Sequence, residues 1–248
     1  MQWHLGSFLQ DFTPVGRGFT KSFGFLGGYE TYDTHMLWNG RWNISREESG
    51  KLNGGYYGPY ITDLYESDHA VTDPRYNGTC TSAGVCTCVD GNMSSNICRY
   101  SSYMYTQQSI ELIEAAGKQP EQKQFWYFAI QSVHSPYQIS TEYLERFPHV
   151  PKGSMARRMH AMVAALDDFI GNTTQALKVH ALWPNTLLVL HADNGAVQAS
   201  GAHSHNPAGY WATGGVQSSG GTAYPYRGAK FNVWVRTRRS VLLGSLEK

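Results

Sequence analysis

Apolar and polar positions recur with helical spacing in two stretches of this chain and run almost without interruption in two others. From Tyr103 onward, Met104, Ser109-Ile110, Leu112-Ile113 and Ala116 form one stripe at helical intervals, and Gly117 supplies a stop. A longer helix is predicted where Met159, Met162-Val163, Leu166, Phe169-Ile170, Thr173 and Leu177 recur at three and four, before Trp183-Pro184-Asn185 breaks the pattern. The methionines on that stripe read as core packing. The two unbroken runs, Phe125 to Ile130 and Leu187 to Leu190, have the length and composition of strands, the second of them buried. Helix, strand, helix, strand is the order of a βαβ unit with a parallel sheet. Both strands would then end on one edge, which puts His134 near Asp193 and Asn194. Between Leu9 and Asn96, Gly, Tyr, Asn and Asp are frequent and no period persists, so long loops with short strands are expected there.

Composition narrows this picture. With 248 residues and 41% apolar content the chain can bury a real core. Lys and Arg together number 20 against 19 acidic residues, which leaves no overall field to recruit nucleic acid or an anionic membrane. No stretch reaches the roughly 18 apolar residues of a membrane span, and the first residues lack the pattern of a signal peptide. Other features favour an oxidising compartment. Asn43, Asn77, Asn92 and Asn172 each begin an N-glycosylation sequon. The four cysteines, Cys80, Cys86, Cys88 and Cys98, crowd into one Gly/Ser/Asn-rich segment without the paired knuckles of a structural zinc site, so disulfides are expected. Cys86 and Cys88 are too close to join each other comfortably, and each should seek Cys80 or Cys98. A secretory or lysosomal destination follows as an expectation, its signal peptide missing from this chain.

Candidate chemistry gathers at the ends of the apolar runs. Leu187 to Leu190 leads into His191-Ala192-Asp193-Asn194-Gly195, where a carboxylate and an amide offer the hard oxygen donors that calcium or magnesium selects. Phe125 to Ile130 leads into Gln131-Ser132-Val133-His134-Ser135-Pro136. Two further islands are Trp3-His4-Leu5-Gly6 and Arg227-Gly228-Ala229-Lys230. Taken singly, these read as a turn, a strand exit and a solvated basic loop. Together, two histidines, a lysine and an Asp-Asn pair make a site fit for a metal ion and a tetrahedral oxyanion.

In these motifs the chain resembles the type I, formylglycine-dependent sulfatases, and within them the arylsulfatase B or N-acetylgalactosamine-4-sulfatase branch. Met1-Gln2-Trp3-His4-Leu5-Gly6 keeps four of the six positions of the family's G-K-W-H-L-G motif. The likeness continues through Thr13 to Phe19, Phe23-Gly24-Phe25, Gln131 to Pro136, Met162 to Asn194, and Tyr224 to Lys230. The resemblance implies an alkaline-phosphatase-like α/β/α sandwich with a mostly parallel sheet, present in part. It implies hydrolysis of sulfate esters, those of sulfated glycans among them, with bound calcium. It also implies the central part of the catalytic domain over residues 1–235 and a non-family tail over 236–248. Carried over by motif, Asp193 and Asn194 would be calcium ligands, and His4 would assist at the formylglycine hydroxyl. His134 and Lys230 would bind sulfate and protonate the departing oxygen.

Some family features are missing. Gln2 stands where the family has a sulfate-binding lysine, a neutral amide in place of a full charge. No C-x-P-S-R nucleophile motif occurs, nor a serine version of it, and the amino-terminal Asp-Asp pair that completes the family's calcium shell, upstream of the W-H-L-G motif, is also absent. Beyond Trp234 the chain reads Val235-Arg236-Thr237 in place of the family's E-G-G. An incomplete internal piece of a sulfatase, inactive alone for want of its nucleophile, is the expectation. Two alternatives stand beside it: a phosphatase or phosphodiesterase of the same superfamily, and a secreted, non-catalytic carbohydrate-binding relative.

Overall fold

The structure, a computed structural model, describes residues 1–28, 30–32, 35, 64–67, 69–70, 79–80, 86–87, 100–135, 137–195, 230 and 240–246. Three helices carry its core: α1 (Ser101–Gly117), α2 (Thr141–Glu145) and α3 (Met155–Val179). On α3 the buried positions Ala161, Met162, Ala165, Phe169, Thr173, Ala176 and Leu177 fall at three- and four-residue intervals, so one face packs inward. Ser154 caps its start, the side-chain oxygen accepting from the Arg157 amide at 3.2 Å. On α1 the inward face is Met104, Tyr105, Ser109, Ile113 and Ala116. Ser109 and Thr173 join across the interface by a buried hydroxyl pair at 3.1 Å, so the polar atoms between the helices are satisfied. At their carboxyl ends the helices approach so closely that a β-carbon on Gly117 would lie 2.9 Å from Cβ of His180. Both helices were legible in the spacing, within the usual uncertainty of helix ends.

The strands depart from expectation. Phe125 to Ile130 forms no strand; the Ile130 amide turns back to Phe128 O at 3.1 Å, and the Ala129 carbonyl accepts from the Gln2 amide at 2.9 Å. Phe128 and Ile130 pack inward beside Phe169, whereas Phe125 and Tyr127 are exposed. Strand β6 (Asn185–His191) forms where the apolar run predicts it, but its neighbour is β7 (Ser240–Leu246), antiparallel and in unbroken register from Asn185↔Leu246 to His191↔Ser240. The parallel βαβ unit is therefore not formed among the described residues. A strand pairs with whichever apolar edge closes its hydrogen bonds, and Val241-Leu242-Leu243 supplies one. Nor is β6 wholly buried, since Leu187 is 58% and Val189 52% exposed. Its sides alternate as in a half-buried antiparallel strand.

Short strands mark the irregular first half, as its composition predicts. β1 (Phe23–Gly24), β2 (Tyr65–Glu66) and β3 (His69–Ala70) form one antiparallel sheet, and β4 (Thr79–Cys80) with β5 (Cys86–Thr87) form a hairpin pair. Residues 1–4 lie alongside β1 in a parallel bridge, Gln2↔Phe25. There the backbone of Met1 occupies the space a side chain at position 24 would need, which only glycine concedes. Glycosylation candidates Asn43, Asn77 and Asn92, with Cys88 and Cys98, lie outside the described residues.

Candidate active site

His4, His134, Asp193 and Asn194 stand on connections between the elements. At the amino terminus, the Trp3 amide donates to Phe25 O at 2.9 Å and the His4 amide to Leu26 O at 3.1 Å. The Trp3 indole bonds to the Phe12 carbonyl at 2.7 Å and turns the chain outward. His4 then takes a positive φ of 48° and lays its ring over Gly28, where a β-carbon would come within 2.7 Å of Cε1. A side chain at position 28 would therefore displace the imidazole. The Gln2 side chain, in the position of the family's sulfate-binding lysine, donates to the Gly28 carbonyl at 2.6 Å.

His134 closes a tight turn, its amide donating to Gln131 O at 2.8 Å. Nδ1 lies 2.7 Å from the Ser135 carbonyl, so it carries the proton and leaves Nε2 facing Lys230 Nζ at 3.3 Å. The partners are 96 residues apart in the chain, and the fold brings them into contact. Burial holds the His134 pKa below the ordinary histidine value, and the Lys230 ammonium depresses it further. The Ser135 carbonyl and the Asp193 carboxylate act in the opposite sense, and the His4 ring adds a small lowering of its own. Burial likewise lowers the pKa of Lys230, with Asp193 opposing it. His4, His134, Asp193 and Lys230 therefore share one electrostatic neighbourhood. Asp193 is exposed at the end of β6, and Asn194 beside it is half-buried.

Among the described residues no group of three or more His, Cys, Asp or Glu side chains forms a metal cage. The oxygen donors of Asp193 and Asn194 suit calcium chemically, yet they are two where calcium takes six to eight. Pro136, Arg227, Gly228, Ala229 and Trp234 lie outside the described residues. Asn172 is exposed on α3, its amide donating to Asp168 O at 2.7 Å.

Comparison with known proteins settles the lineage. The Sulfatase family model matches residues 1–226. This chain belongs to the sulfatase family. Arylsulfatase J of Mus musculus is 30% identical over 240 residues, which cover 97% of this chain and 30% of that relative. The chain thus spans under a third of that relative's length. Among solved structures, Ps i-CgsB superposes with a TM-score of 0.61 at 21% identity, over 96% of this chain and 42% of that one. The same protein in complex with k-i-k-neocarrahexaose gives a TM-score of 0.61 at 20% identity. These likenesses show the fold, which for the sulfatase family is α/β and alkaline-phosphatase-like.

Sequence reasoning did not reach Tyr32, Gly28 or the side chain of Gln131, which hold the site from behind. Nothing in their local pattern distinguishes them from loop residues. Their roles come from contacts spanning as many as 102 positions, as between Tyr32 and His134.

Proposed function

We propose that this chain forms the oxyanion-binding half of a sulfate-ester hydrolase, with Lys230, His134 and His4 around the ester oxygens and Asp193 and Asn194 as two ligands of a calcium ion. The observation that carries this reading is the contact of Lys230 with His134 Nε2 at 3.3 Å in a chain of the sulfatase family. At rest, a neutral imidazole accepts from a partly buried ammonium. An arriving sulfate oxygen takes donors from Lys230, which has three, and its negative charge favours protonation of His134. The proton then rests on Nε2, where a departing alkoxide can collect it. In this family a formylglycine supplies the nucleophile and calcium neutralises sulfate charge. Among the described residues, Asp193 and Asn194 would hold that ion, supplying two of the six to eight oxygens calcium takes. A sulfated glycan is the substrate class we favour, in a lysosomal or extracellular setting.

The test uses a protein that carries this chain together with a C-x-P-S-R segment converted to formylglycine. Lys230→Ala and His134→Ala should each lower aryl sulfate turnover by about two to four orders of magnitude. Preferential hydrolysis of phosphate monoesters would instead favour the phosphatase alternative. Unchanged turnover in both variants would overturn the assignment of these residues.

A further inference from the structure

Behind the turn that carries His134 stands a fully buried phenol with no part in the chemistry proposed above. Tyr32 Oη lies 2.9 Å from the Gln131 carbonyl and 2.9 Å from the His134 carbonyl, the two ends of that turn. One phenolic proton serves both acceptors, and the Ser132 hydroxyl in the same turn bonds to the phenol as well. Tyr32 is itself fixed on every side. Its ring stacks on Tyr100 with centroids 5.1 Å apart, and its amide donates to Gln138 Oε1 at 2.8 Å. Its carbonyl accepts from the Ser101 amide at 2.8 Å, at the first turn of α1. The adjoining Glu30 is also fully buried, with its carboxylate taking the Tyr105 hydroxyl at 3.1 Å and its carbonyl the Gln131 side chain at 2.6 Å.

We infer that Tyr32 is the positioning residue of the site: it clamps the Gln131–His134 turn to the rigid start of α1 and so sets where the His134 imidazole meets Lys230. A catalytic ring must be held within a fraction of an ångström, and a turn closed by one internal bond does not achieve that alone. The clamp deepens the sulfatase reading, but its geometry can be tested apart from it. Tyr143 provides the control. It is another buried tyrosine of the same aromatic cluster, yet its hydroxyl bonds to Asp168 at 2.9 Å, away from the turn.

The experiment compares the full 248-residue chain with its Tyr32→Phe and Tyr143→Phe variants by NMR, reading the His134 amide exchange rate and ring resonances with and without inorganic sulfate. Tyr32→Phe should speed His134 amide exchange at least about tenfold relative to amides in the middle of α3, shift the His134 ring signals, and weaken sulfate binding roughly tenfold, the scale of one buried hydrogen bond. Tyr143→Phe should leave all three within about twofold, whatever it costs in global stability. Native-like exchange and ring signals in Tyr32→Phe would overturn the clamp. Absence of any sulfate response in the unmodified chain would count against the sulfate reading, while the exchange data still judge the clamp. Should Tyr32→Phe fail to fold, Gln138→Ala, which frees the Tyr32 amide, carries the same comparison: faster exchange at His134 supports the clamp and unchanged exchange overturns it.

Discussion

His134 is held neutral by its surroundings, and that has a consequence for stability. Its pKa in the folded chain is lowered, first by burial and then by the Lys230 ammonium. In the unfolded chain it takes up a proton near pH 6.5. Below that pH the unfolded state binds more protons than the folded one, so stability falls as pH drops. Above it the difference vanishes. Thermal unfolding of the chain should therefore show a midpoint that declines from pH 7.5 to 5.5, and His134→Gln should make that decline shallower. An identical pH dependence in the two proteins would show that His134 is not held neutral. A bound sulfate opposes this shift, because an anion beside the pair favours the protonated ring.

Among the elements, α3 ends in an arrangement that most helices reserve for glycine. Leu182 donates to Leu177 O at 2.8 Å and Ala181 to Lys178 O at 3.1 Å, the double bond pattern that closes a helix with one left-handed residue. That residue is Ala181, at φ 57°. Its β-carbon crowds the backbone there, so Ala181→Gly should stabilise the chain by about 0.5–1 kcal/mol, net of the greater freedom glycine has when unfolded. Chemical denaturation measures this directly, and a destabilised variant would count against the cap. The β4–β5 pair bears on the cysteines. Cys80 and Cys86 are register partners, and Cα atoms at such positions stand about 4.5–5.5 Å apart, inside the disulfide range. We expect Cys80–Cys86 and Cys88–Cys98 bridges in protein made through the secretory route. Peptide mapping without reduction decides it, and a Cys80–Cys98 or Cys86–Cys98 linkage would refute this pairing.

At the scale of the whole molecule, the proposed site would stabilise charge through Lys230, His134 and His4, and the family's C-x-P-S-R motif does not occur in the sequence. Asp193 and Asn194 alone should bind calcium weakly, at about millimolar affinity or worse, as a poorly caged cation does. The bare 248-residue chain, purified free of other sulfatases, should therefore show no calcium-dependent turnover of aryl sulfate. Turnover that chelation abolishes would mean that one of its own residues attacks sulfur.

What the sequence by itself determined is local or carried by motif. The helix stripes over 101–117 and 155–179 were readable because a 3.6-residue period depends only on near neighbours. His4, His134, Asp193, Asn194 and Lys230 were candidates because they stand in short motif islands, which are read from adjacent residues alone. Tertiary structure alone decided the partner of β6, because an apolar run states that an edge must be paired and does not say by what. It alone decided that Gln2 binds the Gly28 carbonyl and that Lys230 meets His134. It alone decided that Tyr32 stands behind the turn. Each of these is a hydrogen bond between residues distant in the chain, formed when packing removes the water that would otherwise serve both groups.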